Sequence, residues 1–425
     1  LVPHSGTYEG AFNERFGARL RKTSSSWGGS VQRITRALAV AVPVVLSLPV
    51  AAQTVQIYGR LYPEVVFTRM TGATAPGTPL STLAQPPTGE SFSNIVKMDS
   101  SNSRMGFRGD EPLGNGVKAF FQIEQRILVD TGGTLLASRN TFVGMESDRL
   151  GAVKIGGFDT VYKEIGDALS FLGVSSGNFV SNSNILSKQG FGNNSAGSFH
   201  LRRINSIRYE SPVYDGLQGL VQYSPDEAKT SSRNAFLWSL GVVYDSGPWY
   251  GALAYELHND TFGGSRNVPS ALSNNSDANA RSRDTGLRAT FQYRFANHTV
   301  EADVAQMKYD ERGGKTGRFE NYHHVAFAVG VDSKWSGPWR TAAAFDYATA
   351  GTCRLFDGVP CTTGGLDGRQ VSLGAAYYLS KRTYLFALYA KLWNGRAAQY
   401  NNMDGIDVPP GADPQQIALG ITHNF

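Results

Sequence analysis

Beyond Gln53 the chain is punctuated by connections of two lengths, and this sorting constrains the fold more than any motif. Between them lie segments of about ten residues in which polarity alternates residue by residue, the period of an extended strand. In the last segment Ile417, Leu419, Ile421, His423 and Phe425 share one face, while Gln416, Ala418, Gly420, Thr422 and Asn424 share the other. Val117, Ala119, Phe121 and Ile123 likewise oppose Lys118, Phe120, Gln122, Glu124 and Arg126; Gly251, Leu253, Tyr255 and Leu257 oppose Tyr250, Ala252, Ala254 and Glu256. Tight turns read at 111–116, 147–151, 212–216, 245–249, 295–298, 335–339 and 379–382. Long polar, glycine-rich stretches read at about 70–92, 127–135, 159–199, 225–233, 259–282, 310–320, 350–368 and 394–413. Seven short and eight long connections separate sixteen strands.

A soluble two-sheet sandwich has no reason to sort its connections in this way, whereas a membrane barrel has short turns on one side and long loops on the other. In lipid, a sheet edge with unpaired N–H and C=O groups is prohibitively costly, so the sheet closes. The expected fold is therefore all-β: a 16-stranded antiparallel transmembrane β-barrel with short periplasmic turns and long extracellular loops. Its first strand, about 55–67, pairs with its last, about 415–425, and Phe425 sits at the periplasmic rim. Aromatics near strand ends, namely Tyr58, Trp249, Tyr250, Trp335, Trp339, Tyr377, Tyr378 and Tyr384, are expected in interfacial girdles.

The leader accounts for most of the net charge. Arg33 and Arg36 precede the apolar run 37–52, which ends in Val50, Ala51 and Ala52; this reads as a secretory signal peptide cleaved before Gln53. The run holds 16 residues and two prolines, short of the ~18–20 residues of a spanning helix. Residues 1–30 read as upstream sequence with no role in the mature protein. The division is thus 1–52 as upstream segment plus signal peptide, removed, and 53–425 as the barrel. The whole chain carries 40 Lys/Arg against 35 Asp/Glu, but six and two of these lie before Gln53, leaving 34 against 33. A nucleic-acid partner, suggested by the uncorrected charge, is excluded. Two cysteines rule out a disulfide scaffold.

Several blocks carry a family resemblance: YGRL (58–61), SRMGFRGDEPLGNGVKAFFQIEQ (103–125), SRNTFVGME (138–146), NSIRYESPVYDGLQGLVQYS (205–224) and the terminal ITHNF (421–425). Over essentially all of 53–425 the chain resembles the trimeric general porins of the Gram-negative outer membrane, notably the β-proteobacterial branch. The resemblance implies a water-filled channel for passive diffusion of small hydrophilic solutes and ions, located in the outer membrane. It also implies a homotrimer in contact with outer-membrane lipids and lipopolysaccharide. Delivery to the barrel-assembly machinery would run through the C-terminal strand, with Phe425 as the membrane-insertion signal.

The resemblance further implies that the third long loop folds into the lumen and narrows it, setting carboxylates opposite a row of basic wall residues. The longest connection in this sequence, about 159–199, is that third loop. The wall positions map to Arg60, Arg104 and Arg139, and a further one to the pair Arg202 and Arg203. Alternation through Ser206 and Arg208 points Arg202 inward, and a bulge would swap the pair. Glu164 and Asp167 are the loop acids. Where the family often ends strand five with Gly-Arg, this chain has Gly156, Gly157, Phe158 and Asp159, so one basic group is expected to be absent. Guanidinium groups stay charged at any working pH, and opposed charged rows orient dipolar solutes while penalising bulky apolar ones. Wall arginines outnumbering loop acids point to a weak anion preference.

No enzymatic constellation, cofactor motif or metal-ligand set is read in the chain. Cys353 and Cys361 lie in the seventh long loop of an exported protein, where a disulfide is expected. His323 and His324 are adjacent in a strand and point to opposite faces. Inward acids such as Glu256, Glu301 and Asp303 read as lumen lining. The alternatives are a substrate-specific outer-membrane channel, marked by an aromatic slide along the lumen, or, further off, a barrel enzyme or adhesin.

Overall fold

The computed structural model describes residues 54–135, 139–169, 178–227, 229–403 and 405–425. The leader expected over 1–52 lies outside the described residues. Strands β1 (Thr54–Leu61), β2 (Glu64–Thr71), β3 (Phe92–Asp99), β4 (Arg104–Gly114), β5 (Val117–Leu128), β6 (Gly133–Leu135), β7 (Thr141–Ser147) and β8 (Gly151–Asp159) precede the long third loop. After it come β9 (Arg202–Glu210), β10 (Leu217–Pro225), β11 (Phe236–Ser246), β12 (Trp249–Asn259), β13 (Arg281–Phe295) and β14 (His298–Arg312). The remainder are β15 (Phe319–Lys334), β16 (Trp339–Ala348), β17 (Thr352–Leu355), β18 (Gly368–Tyr378), β19 (Thr383–Asn394) and β20 (Asp413–Asn424).

These segments form sixteen staves of one closed antiparallel barrel. β1 and β2 are one stave interrupted at Tyr62 and Pro63, where proline lacks the ladder's N–H. β3 with β4, and β16 with β17, are likewise single interrupted staves, and β6 only lengthens the rim beside β5. Closure is made by β20, which pairs with β19 on one side and with β1 and β2 on the other. Gly59 and Phe425 exchange both backbone hydrogen bonds at 3.0 Å. The Phe425 ring lies where a Cβ on residue 59 would be, 2.3 Å from its Cζ, so glycine is required there.

The tight turns follow from residues that tolerate positive φ. Asn115 and Gly116 adopt φ 51° and 74°, and Asp215 and Gly216 adopt 49° and 88°, the backbone that matches strand twist in two-residue hairpins. All seven tight turns and all eight long connections separate the staves expected from the sequence.

Polarity is inverted relative to a soluble domain. On β20 Ile417, Leu419 and Ile421 are exposed while Gln416 and Thr422 are buried, and β12 and β5 alternate likewise. The exposed apolar side faces lipid and the polar side faces the lumen. The expected girdle divides by this parity. Trp249, Trp335, Trp339 and Tyr377 face outward and exposed. Tyr58, Tyr250, Tyr378 and Tyr384 turn inward instead: Tyr58 donates to Glu124, Tyr250 to the Ile165 carbonyl, Tyr378 accepts from Arg340, and Tyr384 is buried against Phe386. A strand-end aromatic has two faces available, and parity, not position, selects one.

The described parts of the third loop pack against the inner wall. Its helix, Val161–Gly166, is capped by the Thr160 hydroxyl, which accepts from the Lys163 N–H. The helix lies on the inner wall of β11, β12 and β13 because Gly241 presents no side chain: a Cβ there would stand 2.4 Å from Ile165 and 2.6 Å from Val161. A second turn, Ser183–Leu186, rests on β15, β16 and β18. Between loop and wall, Phe191 packs against Tyr309, Phe319 and Tyr322, and Phe199 against Tyr162 and His258.

Candidate functional site

Period-two parity brings the basic wall residues into one neighbourhood. Arg60 on β1 is the register partner of Arg104 on β4, which is in turn the partner of Arg126 on β5. Arg60 donates to Asn424 Oδ1 at 2.8 Å, tying the row to the closing strand. Glu124, two residues from Arg126 and hence on the same face, is the hub. It accepts from Arg139 Nε at 2.6 Å and from the Tyr58 hydroxyl at 3.1 Å, and lies 3.5 Å from Arg104 Nε. Arg139 is buried; the Arg104 side chain keeps 11% of its surface exposed.

The row continues through Asp159 at the end of β8. Arg202 lies 3.1 Å from an Asp159 oxygen and donates to Asn140 Oδ1 at 2.7 Å; Asn140 itself donates to Asp159. Lys163, from the first turn of the loop helix, reaches the same carboxylate at 2.7 Å. Burial pushes the Lys163 ammonium down to about 8, against the pull of Asp159. Arg203 leaves the row and meets Asp226 in the following loop at 3.4 Å. A register shift beside Gly156 and a left-handed Asn205 do form a bulge here, yet Arg202 is the residue that joins the cluster. Where a further arginine was expected to be absent, Asp159 supplies a carboxylate within the row.

The loop acids lie elsewhere. Glu164 and Asp167 were expected to face Arg60, Arg104, Arg139 and the pair Arg202 and Arg203; instead they are bound to two other arginines. Glu164 takes Arg208 Nη1 at 2.6 Å, and Arg208 also donates to Gln222 and to the Asp159 carbonyl. Asp167 takes Arg288 Nη1 at 2.9 Å and lies 2.6 Å from His200 Nε2. Arg288 further donates to Asp303 through Nε and Nη2 at 3.1 and 3.0 Å. Burial alone would raise the Asp167 carboxyl, but His200 and Arg288 hold it well below the usual carboxylate range. The loop helix sits directly on β11 to β13, so its carboxylates meet the nearest inward guanidiniums, and the arginine row takes its counter-charges from its own wall.

Arg208, Arg288, Glu124, Asp159 and Lys163 were therefore missed as site residues. Strand parity was a usable signal for Arg208 and Glu124. Parity also turns Arg288 inward, but nothing local marks its pairing with Asp167, 121 residues away.

Other candidates are placed plainly. Cys353 and Cys361 form a disulfide with Cα atoms 5.8 Å apart. His323 pairs with Asp310 at 2.7 Å on the outward face, while His324 is buried inward. Glu256 binds Ser239 and His258, and Glu301 binds Gln292. Among the described residues no group of His, Cys, Asp and Glu is placed to hold a metal, and no helix is long and apolar enough to cross a membrane.

Comparison with known proteins agrees with this geometry. The chain is 26% identical over 325 residues to major outer membrane protein P.IB of Neisseria meningitidis serogroup B, covering 70% of this chain and 88% of that one. A P.IB of Neisseria lactamica is 25% identical over 303 residues, 70% of this chain and 78% of the relative. An anion-selective porin from Comamonas acidovorans superposes with a TM-score of 0.64 at 20% identity, covering 88% of this chain and all of that one. In-vitro folded OmpT of Vibrio cholerae, in its trimer form, gives 0.58 at 15% identity with the same coverage. The family profile described as Gram-negative porin matches residues 37–397. That match spans most of the chain and accords with the closed sixteen-stave sheet, so the chain belongs to the Gram-negative porins and forms a channel in the outer membrane.

Proposed function

We propose that the channel passes small hydrophilic solutes and ions by passive diffusion, with size and charge selection where loop 3 narrows the lumen beside the arginine wall. The supporting observation is the charge balance of that wall. Arg60, Arg104, Arg139, Arg202 and Lys163 gather about two carboxylates, Glu124 and Asp159, an excess of positive charge. Loop acids do not offset it, since Glu164 and Asp167 are matched by Arg208 and Arg288. In a narrow aqueous passage such an excess raises the local concentration of anions. The reading is a weakly anion-preferring general pore, a preference of the same sign as the one for which the Comamonas porin is named.

A substrate-specific channel would present aromatic rings along the passage, but Tyr162, Phe191 and Phe199 of the loop and Tyr309 and Tyr322 of the wall are buried against one another. The proposal includes removal of the 1–52 leader, assembly as a homotrimer in contact with outer-membrane lipids and lipopolysaccharide, and delivery to the barrel-assembly machinery with Phe425 as the signal. The trimer form of the Vibrio protein supports the assembly. The test is a planar bilayer in a salt gradient, with sugars of graded size added to the bath. Ohmic conductance, a cutoff in sugar size and a reversal potential of anion sign are expected; a clear cation preference overturns the charge assignment.

A further inference from the structure

The first long loop, residues 72–91, does not stand out from the barrel. It leaves β2 and returns in β3, the first and second staves, and its two legs meet where a Cβ on Gly89 would lie 2.6 Å from Pro76 Cδ. A loop projecting into water is most exposed at its tip; here the legs are exposed and the middle is buried, with Ser81 at 6%, Leu83 at 0% and Ala84 at 7%. Leu83 and Ala84 belong to the apolar cluster that also takes Val268 of loop 5 and Leu366 of loop 7. The Thr82 N–H donates to the Thr362 carbonyl of loop 7 at 3.0 Å, and the Thr82 hydroxyl accepts from the Thr362 N–H at 2.8 Å. Thr362 follows Cys361, so the disulfide to Cys353 braces this contact. Gln85 Nε2 donates to the Asn267 carbonyl of loop 5 at 2.6 Å.

Loop 5 joins β12 to β13, the ninth and tenth staves, and on a closed ring of sixteen that gap is directly opposite the one spanned by loop 1. Asn267 Oδ1 also accepts the Asn194 N–H of loop 3 at 2.7 Å, which places the meeting point over the lumen and not on the rim. Between Thr71 and Phe92 the sequence has one charged residue, Glu90, in the returning leg.

We propose that loop 1, held against loops 5 and 7, is an uncharged bar across the mouth that selects hydrophilic solutes by girth before they reach the arginine wall, with Thr82 and Gln85 as its positioning residues. Passage diameter and lining charge are separate determinants of selectivity. Here they are carried by different parts of the chain: the bar restricts size, and the guanidiniums below it set the ion preference. The inference rests on the pore reading and adds a second filter to it.

The test uses the full-length channel in planar bilayers, with uncharged sugars of graded size and a salt gradient. Excising Thr78–Thr88 joins Gly77 to Gly89, where the two legs already meet. The excised channel is expected to conduct more, to admit larger sugars than the parent, and to keep the parental reversal potential, because no charged residue is removed. The double variant Thr82→Val, Gln85→Leu keeps the chain length and cuts the side-chain bonds to loops 5 and 7. It should move the sugar cutoff in the same direction by less, with a noisier current. If the excised chain does not fold, judged by heat-modifiable gel mobility, the double variant decides. An unchanged cutoff would leave size selection to loop 3 and overturn the proposal, and so would a cutoff that moves with Arg104→Ser but not with the excision. A changed reversal potential in the excised channel would overturn selection by girth alone. A parent with no conductance or no sugar cutoff defeats the pore reading and this proposal with it, whereas a parental cutoff that survives excision defeats this proposal only.

Discussion

Two groups of arginines line the same lumen and are used in opposite ways. At the loop anchor, Arg208 and Arg288 have fully buried side chains, and each meets more than one acceptor, including a carboxylate from loop 3. At the wall, Arg104 and Arg202 each keep 11% of the side chain exposed and share carboxylates with neighbouring cations. A buried, charge-matched pair holds structure, because separating it leaves an uncompensated charge. A partly exposed, under-compensated row leaves a field in the water beside it. The same residue type thus fixes the loop in one place and, in the function we propose, filters solutes in the other.

The sharpest way to break this contrast is at the anchor. Asp167→Ala strips Arg288 of one carboxylate and His200 of its partner, and removing one member of a buried pair costs about 3–5 kcal/mol. The expected outcome is a lower unfolding temperature together with a larger, noisier single-channel conductance as loop 3 leaves the wall. Arg288→Met should do the same more strongly, since Asp303 loses its guanidinium as well and keeps only the Thr290 hydroxyl. A quiet, parental conductance in both would show that packing on Gly241 alone positions the loop.

The staves were legible in the sequence because each expresses a local period, and the turns because Asn115, Gly116, Asp215 and Gly216 carry local backbone preferences. Parity also holds information that position obscures: Tyr250 shares a face with Ala252 and Glu256, which places it in the lumen and not in a girdle. Motif resemblance pointed to Arg60, Arg104, Arg139 and the pair Arg202 and Arg203, and all but Arg203 lie in one neighbourhood. The partners of the loop acids were not legible, because they depend on which wall the loop lies against. Glu164 meets Arg208 across 44 residues and Asp167 meets Arg288 across 121, contacts set by the docking of a helix on Gly241 that no local pattern announces.

At the wall, a matched pair of substitutions should move selectivity in opposite directions. Glu124→Gln removes a carboxylate shared by Arg104 and Arg139 and raises the excess positive charge, so anion preference should increase. Arg104→Ser or Arg139→Ser lowers it. A unit charge about 5 Å from a passing ion at water-like dielectric is worth about 0.8 kcal/mol, roughly a fourfold change in local ion concentration. Reversal potentials should therefore shift by a measurable amount in each case, with the sign set by the substitution. Shifts of the same sign for Glu124→Gln and Arg104→Ser would place the row outside the ion path.

The smallest expected effect is a pH dependence carried by Lys163, which bridges the two regions: it belongs to the loop helix yet pairs with Asp159 in the arginine row. Its pKa in the folded protein, about 8, lies below the ordinary lysine value of 10.5. Below pH 8 the group is charged whether the chain is folded or not, and folding bears the full cost of burying that charge. As pH rises from about 8 toward 10.5 the folded protein sheds the proton first, so this contribution becomes more favourable with pH. In the folded channel the row loses this positive charge around pH 8, and anion preference should fall between about pH 7 and 9. Lys188, which burial also brings down to about 8, sits against the Asn401 carbonyl and has no contact with the row. Lys188→Met is accordingly expected to leave the pH profile in place, whereas Lys163→Met should flatten it at the high-pH level and Lys163→Arg at the low-pH level. A profile that flattens with Lys188→Met and persists with Lys163→Met would move the titrating charge out of the arginine wall and into the distal part of the loop.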